Sequence, residues 1–119
     1  MILPAIFLFV LALALGMGMV VLGLRFQRGS LPLAAAHVSC AVLGLGVLMW
    51  QIVNATVTHK LYNLAALLFV LALLGGVVLL ALRTSKREYR TPPPMIVVIL
   101  HAIMGVFALL LLVVGYTHS

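Results

Sequence analysis

Two histidines stand where ionisable side chains are rare. His37 and His101 each lie six residues into a long apolar run. A neutral imidazole survives burial away from water. There it can hydrogen-bond across helices or give a nitrogen lone pair to a metal. Small residues follow both histidines at the same spacings. Ala41 and Gly44 come four and seven residues after His37, and Gly105 and Ala108 come four and seven after His101. On a helix those positions share the histidine's face. Gly16 and Gly76 occupy matching places in two other apolar runs.

The elements that must position these residues are set by hydropathy. The chain has 119 residues, of which 66% are hydrophobic and 7% charged. A soluble domain is roughly half apolar and about a quarter charged, so a soluble fold, a disordered chain and a secreted disulfide scaffold are excluded. Four apolar runs, 2–24, 31–53, 61–82 and 95–116, are each long enough for a helix that crosses a bilayer. Short connectors make each helix antiparallel to the one before. The expected fold is therefore all-α: one membrane domain, 1–119, in an up-down-up-down four-helix bundle. A signal peptide is not expected. No positive charge precedes the first run, and Arg25 and Arg28 follow it.

The charges set the orientation. Arg25 and Arg28 form one basic cluster, and Arg83, Lys86, Arg87 and Arg90 form another; Glu88 is the lone acid. By the positive-inside rule these connectors face the cytoplasm, which puts both termini outside. The chain is expected in a bacterial-type inner membrane, with anionic lipid as the partner of its arginines and no role for nucleic acid. Trp50, Tyr62 and Tyr116 would then lie in an outer aromatic belt.

The chain also repeats. Phe9-Val10-Leu11-Ala12-Leu13 recurs as Phe69-Val70-Leu71-Ala72-Leu73, and the same sixty-residue offset pairs Gly16 with Gly76. Two tandem helical hairpins related by a two-fold axis along the membrane normal follow from this. The second and fourth helices become diagonal neighbours, and their histidines face one another at one depth. Small residues on all four helices, namely Ala41, Gly44, Gly105, Ala108, Gly16 and Gly76, would leave a flat slot between the imidazoles. A haem is a flat plate whose iron takes one ligand from each face. The expected cofactor is one haem b ligated by His37 and His101. It would be non-covalent, because no Cys-x-x-Cys-His motif is present and Cys40 is alone. His59 and His118 fall on the other side and offer a second, weaker site for a haem or copper. Met104, one turn after His101, is a rival ligand.

With its histidines on alternate, parallel helices, the chain resembles the transmembrane b-type cytochromes. These include ascorbate-dependent membrane reductases and small bacterial four-helix cytochromes that exchange electrons with quinone. The resemblance implies electron transfer, as a carrier or a subunit of an oxidoreductase rather than a stand-alone enzyme. Its partners would be a quinone, a redox subunit or a second copy of the chain. One departure matters: those families usually carry two histidine pairs, and here the helices carry one. The competing expectation is a small accessory subunit, without a cofactor, of a respiratory or photosynthetic complex. A proton-coupled drug exporter is excluded by the lack of an acidic residue in the first helix.

Overall fold

The computed structural model describes residues 2–25, 31–55, 60–84 and 95–118. They form four helices: α1 (Ile2–Arg25), α2 (Leu31–Asn54), α3 (Lys60–Thr84) and α4 (Met95–Thr117). No strand occurs among the described residues. The helices run one or two residues past the apolar stretches, into the more polar ends. Each is long and apolar enough to span a bilayer. Pro4 and Pro32 stand in first turns, where a missing N–H costs no intrahelical bond. At the other ends side chains add a second donor to carbonyls of the last turn. Asn54 Nδ2 donates to Trp50 O at 2.8 Å, and Thr117 Oγ1 donates to Val114 O at 3.0 Å.

The bundle is two hairpins. α1 packs chiefly on α2 and α3 on α4, while α2 against α3 and α1 against α4 are lighter contacts. A cross-section of 20 × 19 Å is two helices by two, given about 10 Å per helix. α1 and α3 therefore face each other across one diagonal, and α2 and α4 across the other.

The core repeats the sequence's own symmetry. Ile2, Ala5, Phe9 and Ala12 are buried on α1; Tyr62, Ala65, Phe69 and Ala72 are buried at the same spacing on α3. On the other diagonal Leu48 and Leu112 are fully buried, each eleven residues beyond its histidine. The alternation of three- and four-residue steps keeps one stripe of each helix on the axis. Among the described residues, seven of the thirteen buried hydrophobic ones are alanine. In a bilayer, lipid is as apolar as leucine, so association depends on close approach and packing rather than on a hydrophobic drive. Small residues on the axis provide it, and large ones such as Phe7, Leu43, Leu74 and Ile103 point outward.

Phe9 and Phe69 meet on the axis. Their rings stack with centroids 3.7 Å apart and planes within 4°. Gly44 makes room for this pair: a Cβ there would stand 3.1 Å from the Phe9 ring. The aromatic belt expected from the sequence is corrected at one position. Trp50 and Tyr116 are exposed, but Tyr62 is buried, with its ring against Gly115. The glycine leaves a recess that only an inward-turned ring fills.

Two glycines on one helix separate packing from mere composition. Gly44→Leu should displace the Phe9 ring and destabilise the bundle by about 1–3 kcal/mol. At Gly46 an added Cβ meets nothing within 4 Å, and Gly46→Leu should stay within about 0.5 kcal/mol of the parent. Unfolding in mixed micelles checks both.

Candidate functional site

His37 sits on α2 and His101 on α4, so the diagonal geometry can bring them together only through the core. It does. Their ring centroids are 6.2 Å apart, with planes crossed at 74°. Both side chains are half-buried. The layer they form lies about 10 Å from the phenylalanine layer, toward the ends where α1 turns into α2 and α3 into α4. Seven residues at 1.5 Å separate His37 from Gly44, which seats Phe9.

Each imidazole rests on a glycine of its own hairpin. A Cβ at Gly16 would stand 3.0 Å from Cε1 of His37, and one at Gly76 would stand 3.1 Å from Cε1 of His101. Both are tight contacts, so a side chain at either glycine would make the ring give way by a few tenths of an ångström. His37 is held further by a hydrogen bond. Its Nδ1 lies 2.6 Å from the carbonyl of Ala12 on α1. A carbonyl can only accept, so Nδ1 carries the proton and Nε2 keeps its lone pair. The equivalent carbonyl on α3, that of Ala72, lies beside the His101 imidazole. Nδ1 of His101 is nonetheless buried without a hydrogen-bond partner.

The spacing bears on which chemistries the pair can support. Two imidazoles joined by a direct N–H···N bond of about 2.9 Å would have ring centres roughly 5.2 Å apart. Two imidazoles on opposite sides of one metal, with bonds of about 2.0–2.1 Å, would have centres roughly 6.3–6.5 Å apart. The observed 6.2 Å is too long for the first, lies close to the second, and is also the spacing of two rings in plain edge-to-face contact. No group of three or more His, Cys, Asp or Glu residues able to hold a metal comes together among the described residues. The protein's share of such a site is therefore two nitrogens, which is the share a tetrapyrrole leaves open at its iron. A proton fixed on the remote nitrogen of His37 and glycines beside both rings are compatible with that group.

The slot expected from the sequence divides into distinct roles. Gly16 and Gly76 lie against the imidazoles. Gly44 serves Phe9 instead, and Ala108, its counterpart on α4, is fully buried. Ala41 is half-buried. Gly105 does not seat a ring, since a Cβ there would meet nothing within 4 Å. Of the second pair, His118 is exposed at the end of α4, where its N–H donates to Val114 O at 3.1 Å; His59 lies outside the described residues. Met104 and Cys40 are half-buried. Of the basic residues, Arg25 is exposed on α1. Arg28, Lys86, Arg87 and Arg90 lie outside the described residues. Two shallow apolar hollows open on the bundle's surface, one along Ala102, Ile103, Val106, Phe107 and Leu110 and one between Met49 and Asn63, and no histidine lines either.

Sequence reasoning missed the Ala12 and Ala72 carbonyls and the phenylalanine stack. The signal was present, because the repeated pentapeptide holds Phe9, Ala12, Phe69 and Ala72. Comparison with known proteins returns no match to a family model, a curated protein or a solved structure. The chemistry must be argued from these residues alone.

The His37–Ala12 bond can be observed directly. Nitrogen-15 spectra of histidine-labelled protein should show a strongly hydrogen-bonded, protonated Nδ1. Gly16→Val should push the ring off the carbonyl and remove that signal, at a cost of about 1 kcal/mol for the lost bond. Gly105→Val should leave the signal in place.

Proposed function

We propose that the chain is a four-helix membrane cytochrome of the b type, which carries electrons through one non-covalent haem held between His37 and His101. The observation that carries this reading is the pair of crossed imidazoles on opposite helices, 6.2 Å apart on the symmetry axis. When bound, the haem supplies an iron that cycles between ferric and ferrous by one electron. The chain's residues do the rest. The Ala12 carbonyl fixes the tautomer and orientation of His37 and raises its basicity as a ligand. Gly16 and Gly76 let both rings lie flat against α1 and α3. Because the chain would offer two imidazoles to the iron, the expected activity is electron transfer.

The stacked Phe9 and Phe69 close the layer on one side. Polar groups of the cofactor would therefore face the connector end, where the basic residues cluster. We place that end in the cytoplasm, since Arg25, Arg28, Arg83, Lys86, Arg87 and Arg90 all belong to it. Membrane lipid surrounds the outward apolar faces. A quinone, a redox subunit or a second copy of the chain would exchange the electrons. The rival role, an accessory subunit without a cofactor, requires a colourless protein.

The pyridine haemochrome of the purified chain should give one haem b per chain. His37→Ala and His101→Ala should each remove the bis-imidazole spectrum, and a variant that keeps it in full would defeat the assignment. Orientation has its own check. In a Cys40→Ala background, a cysteine placed at Ser30 should react with an impermeant thiol reagent only from the cytoplasmic face, and one placed at Ser119 only from the opposite face.

A further inference from the structure

The two grooves between the hairpins are related by the chain's own symmetry, but their linings differ. Met49 and Ile52 of α2 and Asn63, Ala66, Leu67 and Val70 of α3 line a hollow of about 240 Å³ in one of them. On the other side the sixty-residue offset puts Leu3 in place of Asn63, Ile6 in place of Ala66 and Phe7 in place of Leu67. The α3 wall is thus built of smaller residues and carries an amide at its outer end. Lys60, exposed one turn before Asn63, shares the face of Asn63 and Leu67. It is the chain's one cation outside the two basic clusters, and it stands at the opposite end of the bundle from them. From Asn63 to Val70 the hollow runs about 10 Å along the helix, which fits within one leaflet of a hydrocarbon core about 30 Å thick. Its polar groups stand at the water end and its apolar walls toward the bilayer centre.

We propose that this groove binds an anionic phospholipid, with its phosphate on Lys60 and Asn63 and an acyl chain along Ala66, Leu67 and Val70. The site is independent of the haem reading. Lysine at the end of a span keeps its stem on apolar surface and lifts its ammonium to the headgroups. There it donates to the phosphate in a charge-assisted bond. The Asn63 amide donates beside it. One lysine near the membrane surface favours anionic over neutral lipid by about fivefold. The hollow adds contact with the chain, which a bare surface charge lacks. The connector arginines draw anionic lipid to one leaflet, and Lys60 selects it in the other.

Brominated lipids, which quench tryptophan on contact, test this in bilayers. Trp50 is the only tryptophan, so Trp50→Phe gives a dark background. Leu74 continues the face of Leu67 and Val70 by one turn, and a side chain there leans back over Val70. Ala14 is its counterpart on α1, and both positions are exposed. The full chain with Trp50→Phe and Leu74→Trp is placed in phosphatidylcholine vesicles. A small fraction of the lipid is brominated phosphatidylglycerol or, in parallel, brominated phosphatidylcholine. The anionic lipid should quench as though enriched about fivefold, and Lys60→Gln should abolish the difference. Val70→Phe leaves the charge alone but fills the hollow, and should cut the enrichment by at least half. With Ala14→Trp as the reporter instead, the two lipids should quench alike. Equal quenching at Leu74→Trp overturns the site, and so does a preference that survives Lys60→Gln or Val70→Phe. The same preference at Ala14→Trp also overturns it, since that marks general attraction to a basic protein.

Discussion

An imidazole inside a bilayer has no water to turn to. Each of its nitrogens must find a partner within the protein or remain an expensive orphan. The structure answers this constraint by turning His37 and His101 inward along one diagonal and setting each beside a backbone carbonyl of a neighbouring helix. α-Helical carbonyls normally serve their own helix. That of Ala12 accepts a second bond because alanine and glycine let α1 and α2 approach closely. The small residues are thus as necessary as the histidines, since a larger side chain at Gly16 would hold the ring away from its acceptor.

Duplication explains how so short a chain brings two histidines face to face. A hairpin alone presents one imidazole. Two hairpins related by a two-fold axis present a pair, aimed at the same axis and at one depth. The stack of Phe9 on Phe69 crosses the same axis one layer away. It fixes the approach of α1 to α3 and so the width of the space in which the imidazoles meet. The symmetry is approximate, and Leu15 against Gly75, Gly44 against Ala108 and Ile2 against Tyr62 are among its departures. The first of these falls at the histidine layer.

Hydropathy, loop length and repetition made the architecture legible, because span length and antiparallel order follow directly from the bilayer's thickness. Depth was legible too: His37 and His101 were each six residues into a helix, and the structure places them in one layer. Side-chain direction within the apolar stripe was less so. Spacing puts Gly44 and Gly105 on the histidine face, yet seven residues is a whole layer away, and four residues is far enough around the helix to leave the axis. Tyr62 shows the same difficulty. Amphipathic rings favour the interface, and only the recess at Gly115 draws this one inside. The backbone carbonyls escaped notice because an acceptor on a main chain leaves no mark in residue type.

The central claim is that one iron lies between two crossed imidazoles. Electron paramagnetic resonance of the oxidised, haem-loaded chain tests this most directly, because the g-values of a low-spin ferric haem respond to the angle between its axial ring planes. Planes crossed at 74° call for a highly anisotropic low-spin signal dominated by one large g-value. A high-spin signal, or the evenly spread rhombic signal of parallel rings, would contradict the arrangement described for His37 and His101.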